Sequence, residues 1–90
     1  MEGFYNVKVE VINQTGKCQR GHKVGDSWIV KHVTPEGICT SAFVAMFGRL
    51  SYLEYGGSAP WKKEGNKDES ECVCPDAKNP VVFKLTRLRD

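Results

Sequence analysis

The residues in this chain with the most chemistry to offer are four cysteines and two histidines. Cys18 and His22 stand four residues apart in Cys18-Gln19-Arg20-Gly21-His22. A glycine-containing loop of that length can turn a thiol and an imidazole toward one centre, as metal knuckles require. Cys39 precedes an expected helix, where backbone N–H groups and the helix dipole favour a thiolate. Cys72 and Cys74 sit at i and i+2 of an expected strand, so their side chains project from one face. A disulfide between them would close too short a loop for ordinary geometry. Zinc takes four such ligands, and Cys18, His22, Cys39 and Cys74 supply three thiolates and one imidazole, with Cys72 as an alternative ligand. All four cysteines could instead hold an iron–sulfur cluster, leaving His22 outside.

Two other chemistries fit the same residues. Free cysteine is among the most frequently buried side chains, so the thiols can be inert core fillers. Cys39 can also be a reactive thiolate, a candidate nucleophile with His22 or His32 as base. That version needs an orienting group; Asp26 and Asp76 are available, although aspartates at such positions commonly serve turns. Trp28 and Trp61 can line a ligand cleft or pack in the core. His32, between Lys31 and Val33, reads as a strand residue. The chain has no glycine-rich phosphate loop, serine elbow or H-E-x-x-H pattern.

The elements that must position these groups are short. Tyr5, Val7, Val9 and Val11 alternate with polar residues, the period of a half-buried strand. Val24-Gly25-Asp26 turns into a second strand over Ser27–Val33, on which Trp28 and Val30 share a face. Pro35 and Gly37 close it. From Thr40 to about Leu53, Phe43, Met46, Phe47, Leu50 and Leu53 recur at helical spacing, with Thr40 or Ser41 as cap and Gly56-Gly57 as stop. Lys62–Ser70 is polar and reads as an exposed loop. Strands over Glu71–Cys74 and Val81–Leu88 follow, close enough for antiparallel pairing. The expected fold is α+β, a small antiparallel sheet with one main helix in the order β-β-α-β-β, forming a single domain over residues 1–90.

Composition narrows the function classes. Ninety residues at 40% apolar and 27% charged content exclude a coiled coil, a collagen-like repeat and a disordered tail. The longest apolar run, Ala42 to Phe47, is far too short to span a bilayer. Thirteen basic against eleven acidic residues leave +2, a weak field for nucleic acid or anionic lipid. Nothing at the start has the pattern of a secretory signal, so the expected compartment is the cytoplasm. There, four cysteines point to metal or to reduced thiols rather than a disulfide frame.

Several segments taken in order resemble a family of small uncharacterised prokaryotic proteins. They are Cys18 with Gly21-His22-Lys23-Val24-Gly25-Asp26, then Glu36-Gly37-Ile38-Cys39, Gly56-Gly57 with Pro60-Trp61, Cys74-Pro75-Asp76, and Pro80-Val81-Val82-Phe83. The similarity runs over nearly the whole chain. It implies that Cys18, Cys39 and Cys74 match family positions, that His22 matches only some relatives, and that Cys72 departs from the commoner placement of an extra cysteine. It implies no reaction.

The expected function is a small cytoplasmic accessory or binding domain with a Cys/His metal site, structural zinc foremost. The alternatives are an iron–sulfur or thiol-redox protein, a small enzyme acting through Cys39, and a metal-free interaction module with buried reduced cysteines. A larger protein could dock on the Lys62–Ser70 loop or on the apolar edge of the helix.

Overall fold

The computed structural model describes residues 5–16, 21–57, 68–75 and 78–89. Strand β1 (Val7–Gln14) places Val7, Val9 and Val11 inward, all essentially buried. It pairs antiparallel with β2 (Ser27–Val30) on one side, Val9 opposite Trp28. On its other side it pairs antiparallel with β4 (Val81–Arg87), Val9 opposite Leu85 and Val11 opposite Phe83. The register shifts between Val11 and Asn13, a bulge that turns Ile12 partly into solvent. Strand β3 (Glu69–Val73) completes the sheet, with Cys72 opposite Phe83. The spatial order is β2-β1-β4-β3 and every pairing is antiparallel, so the fold is α+β with the helix between β2 and β3 in sequence.

One face of the sheet carries Val7, Val9, Val11, Val81, Phe83 and Leu85, and helix α1 (Thr40–Glu54) lies across it. The buried helical residues are Ala42, Met46, Leu50, Leu53 and Glu54. Phe47 is 56% exposed and Phe43 only part-buried, so the stripe expected from Phe43, Met46, Phe47, Leu50 and Leu53 is corrected. At about 100° per residue, Ala42, Met46, Leu50 and Leu53 cluster on one side, while Phe43, Glu54 and Phe47 fall roughly 65 to 105° round from its centre. The apolar surface of the helix is wider than the sheet can cover, and Phe47 is on the uncovered flank.

The helix ends differ from expectation at one point. Cys39, rather than Thr40 or Ser41, is the N-cap: its backbone is extended and its Sγ accepts the Ala42 N–H at 3.4 Å. At the C-terminal end Gly56 adopts φ +83°, and the Gly57 N–H reaches the Tyr52 carbonyl at 2.7 Å. The left-handed residue that terminates the helix is the glycine the sequence places there. Arg87 then fastens this end to the sheet. Its side chain is 2% exposed; Nε donates to the Leu53 carbonyl at 2.8 Å, and the guanidinium also bonds the Gly57 carbonyl and Asp68. Arg89 grips Asp68 as well, and hydrogen bonds from Arg89 together with the charges of both arginines hold the Asp68 carboxyl below its ordinary range.

Strand boundaries move by a few residues. Strand β2 stops at Val30 rather than Val33 because His32 adopts φ +66°, a left-handed conformation no strand tolerates. His32 is therefore a turn residue and not a strand residue. Strand β3 runs from Glu69 rather than Glu71, so the C-terminal end of the Lys62–Ser70 segment is sheet instead of loop. Among the described residues, no helix is long and apolar enough to cross a membrane.

Candidate functional site

His22 and Cys39, 17 residues apart, meet at one end of the core. The loop before β2 is pinned to β1 by Val11 N–H to the Asp26 carbonyl (2.9 Å) and Gly25 N–H to the Val11 carbonyl (3.1 Å). Asp26 itself is a turn residue, its carboxylate accepting the Lys23 N–H at 3.1 Å. This loop pushes His22 inward to 5% exposure, edge-on to Trp28 at 5.3 Å and to Phe83 at 6.1 Å. The Cys39 N–H donates to His22 Nε2 at 3.1 Å. A neutral imidazole whose Nε2 accepts must carry its proton on Nδ1. His22 thus uses its basic nitrogen to satisfy the amide of the helix N-cap, a group that the helix itself leaves unbonded. Trp28 is spent on core packing, against His22, Phe83 and the close backbone of Gly37, where φ is +97° and an added Cβ would lie 3.3 Å from Trp28 Nε1.

The remaining thiols divide by environment. Cys39, Cys72 and Cys74 are all free. Cys72 is buried on the helix side of β3, and burial pushes its thiol up to about 11; Arg49 opposes this shift and Cys74 adds to it. Cys74, just past the strand, accepts the Val81 N–H on Sγ at 3.3 Å and directs its S–H toward the Asn79 carbonyl at 3.8 Å. Cys39 and Cys74 lie at the same end of the fold. The C-terminal turn of α1 is tied to Arg87 at the far end of β4, so its N-cap lies at the end where β4 begins and Cys74 bonds Val81. Both sulfurs accept a backbone N–H bond, a kind of support that metal-bound sulfurs commonly receive.

Of the four residues expected to share a metal, His22 and Cys39 are in contact and Cys74 stands at the same end. Cys18 lies outside the described residues, as do Asp76, Trp61 and residues 62–67. Among the described residues, no three of the His, Cys, Asp and Glu side chains group closely enough to hold a metal ion. For Cys39 as nucleophile, the histidines are placed elsewhere: His22 accepts the Cys39 amide and His32 faces Glu54.

The sequence offered His32 only as a base for Cys39, and the structure sets it beside Glu54 instead. His32 Nδ1 lies 3.3 Å from Glu54 Oε2, and the Glu54 side chain is only 8% exposed. The pair lines a cleft of about 190 Å³ between the segment after β2 and the uncovered flank of α1. A signal was present in the sequence: Glu54 follows Leu50 by four residues, which sets a carboxylate beside the apolar stripe rather than opposite it.

No protein-family model matches the chain, and no curated protein and no solved structure is significantly similar to it.

Proposed function

We propose that this chain is a small accessory or binding domain in which Cys18, Cys39 and Cys74 hold a structural zinc at the His22 end of the core. The observation that carries this reading is the Cys39 N–H to His22 Nε2 bond. It joins the loop after β1 to the helix start, and so draws together two of the three segments that bear the expected ligands. The third, Cys74, is at the same end. Cys18 is four residues from His22 and two from Gly16, where an added Cβ would run into Asn79, the residue whose carbonyl faces the Cys74 thiol.

His22 would serve as the fourth ligand if its Nε2 were released from the Cys39 amide. Zinc is favoured over an iron–sulfur cluster because a cluster needs Cys72 as well, and that thiol is buried and held protonated to about 11. When bound, zinc would supply stability and no reaction. A chain this short has a net stability of about 5 to 13 kcal/mol, while a structural zinc contributes on the order of 10 kcal/mol of binding free energy coupled to folding. The test is thermal melting with and without a strong chelator, read beside an absorption spectrum. A marked drop in melting temperature with no visible absorption supports zinc. An unchanged melt overturns the metal, and a visible band assigns a cluster instead.

A further inference from the structure

We propose that the cleft beside α1 binds a small organic amine whose apolar body is about the size of one aromatic ring. The site is separate from the cysteine end and owes nothing to it. Its walls are Phe43, Phe47 and Leu50 from the helix and Val33 from the segment after β2, with Glu54 and Tyr55 at the end. Its volume, about 190 Å³, slightly exceeds the roughly 150 Å³ of an apolar cavity that accepts benzene.

The sign of the ligand's charge follows from the buried carboxylate in the lining. Glu54 is the last residue of α1, where the aligned peptide dipoles place partial negative charge and disfavour a carboxylate. It is nevertheless buried to 6% exposure, and its only side-chain hydrogen bond among the described residues is to His32 at 3.3 Å, although a carboxylate can accept about four. His32 is held to it at a cost, in a left-handed backbone conformation at φ +66°, with its ring edge-on to Tyr55 at 5.8 Å. Packing α1 on the sheet requires none of this, since Ala42, Met46, Leu50 and Leu53 already fill the core face. A buried carboxylate at a helix C-terminus, set among aromatic rings, attracts an ammonium group and repels an anion. Phe43 and Phe47, with ring centroids 6.4 Å apart, form an aromatic wall for the apolar body.

Three probes of closely similar size separate the charge from the shape: 2-phenylethylamine, phenylacetate and 2-phenylethanol, each titrated into the ¹⁵N-labelled full chain at neutral pH. The expected result is saturable binding of the amine alone, with shifts centred on His32, Phe47 and Glu54. In Glu54→Gln, affinity falls by at least about tenfold. Phe47→Ala, which removes a ring already 56% exposed and so leaves the fold intact, weakens the amine by several-fold. Equal binding of all three probes would reduce the cleft to an apolar patch, and absence of saturation by the amine at millimolar concentration would overturn the proposal. If Glu54→Gln fails to fold, Phe47→Ala decides: unchanged amine affinity there overturns it as well.

Discussion

The Cys39 amide donates to Nε2 of His22 across 17 residues of chain, so the histidine that looked like a metal ligand also caps the start of α1. Cys39 completes the arrangement by capping the same helix with its own sulfur, which accepts the Ala42 N–H. The two residues hold the loop after β1, the helix and the aromatic pair Trp28 and Phe83 in one contact.

That contact has a stability consequence which does not depend on metal. His22→Ala opens a cavity between Trp28 and Phe83 and strands the Cys39 N–H, a loss of about 2 to 4 kcal/mol. His22→Gln restores an acceptor and recovers half or more of it. Urea unfolding of both variants, prepared with chelator present, checks this; a loss under about 1 kcal/mol in His22→Ala would contradict the buried role.

Arg87 is the corresponding fastener at the opposite end. Its guanidinium reaches the Leu53 carbonyl, the Gly57 carbonyl and Asp68 from a site nearly closed to water. Arg87→Ala takes a buried donor from the Leu53 and Gly57 carbonyls and leaves Asp68 with Arg89 but without its second arginine, and is expected to cost about 3 to 5 kcal/mol. Arg87→Lys, which cannot reproduce the planar fork, should still cost about 2 kcal/mol or more. Chemical denaturation measures both, and a surface-like loss of about 0.5 kcal/mol or less for Arg87→Ala would refute the assignment.

Tyr52 predicts the opposite sign. Its hydroxyl is buried and has no hydrogen-bond partner among the described residues. Removing an unsatisfied buried hydroxyl relieves its desolvation cost, so Tyr52→Phe should leave stability unchanged or raise it by up to about 1 kcal/mol. A destabilised variant in the same denaturation assay would show that the hydroxyl is bonded after all.

Cys72 sets an alkaline limb. Its thiol ionises at about 11 in the folded chain against an ordinary value of 9.0. Between those values the unfolded chain gains free energy by losing the proton and the folded chain does not, so stability falls as pH rises from 9 to 11 and is fully present below 9. Wild-type melting temperatures should therefore decline more steeply over that window than those of Cys72→Ala. The same burial makes Cys72 the slowest of the described thiols to alkylate at pH 8, and rapid labelling of folded Cys72 would be incompatible with its place on β3.

Much of the fold is legible in the sequence because local periodicity and burial agree. The alternation Val7, Val9, Val11 and the run Val81, Phe83, Leu85 mark the two central strands, and Gly56-Gly57 marks the helix end. What could not be read locally depends on the third dimension. The strand order β2-β1-β4-β3 comes from pairing between β1 and β4, some seventy residues apart in the chain. Phe47 looks like core by spacing and is exposed because the sheet covers only part of the helix circumference. His32 looks like strand because a left-handed backbone at a non-glycine residue leaves no mark in the sequence. At the candidate site, Cys39 and His22 were legible as chemistry, but their relationship was not: spacing suggests two ligands of one ion, while the structure joins them through a backbone amide.

The metal content of the purified chain tests the central claim most directly. Expressed and purified without added metal or chelator, the protein should carry about one zinc per chain by elemental analysis, as a closed site of this kind binds it. Cys39→Ser and Cys74→Ser should each lose it while Cys72→Ser retains it. A metal-free wild-type chain whose melting temperature is the same with and without added zinc would contradict the account.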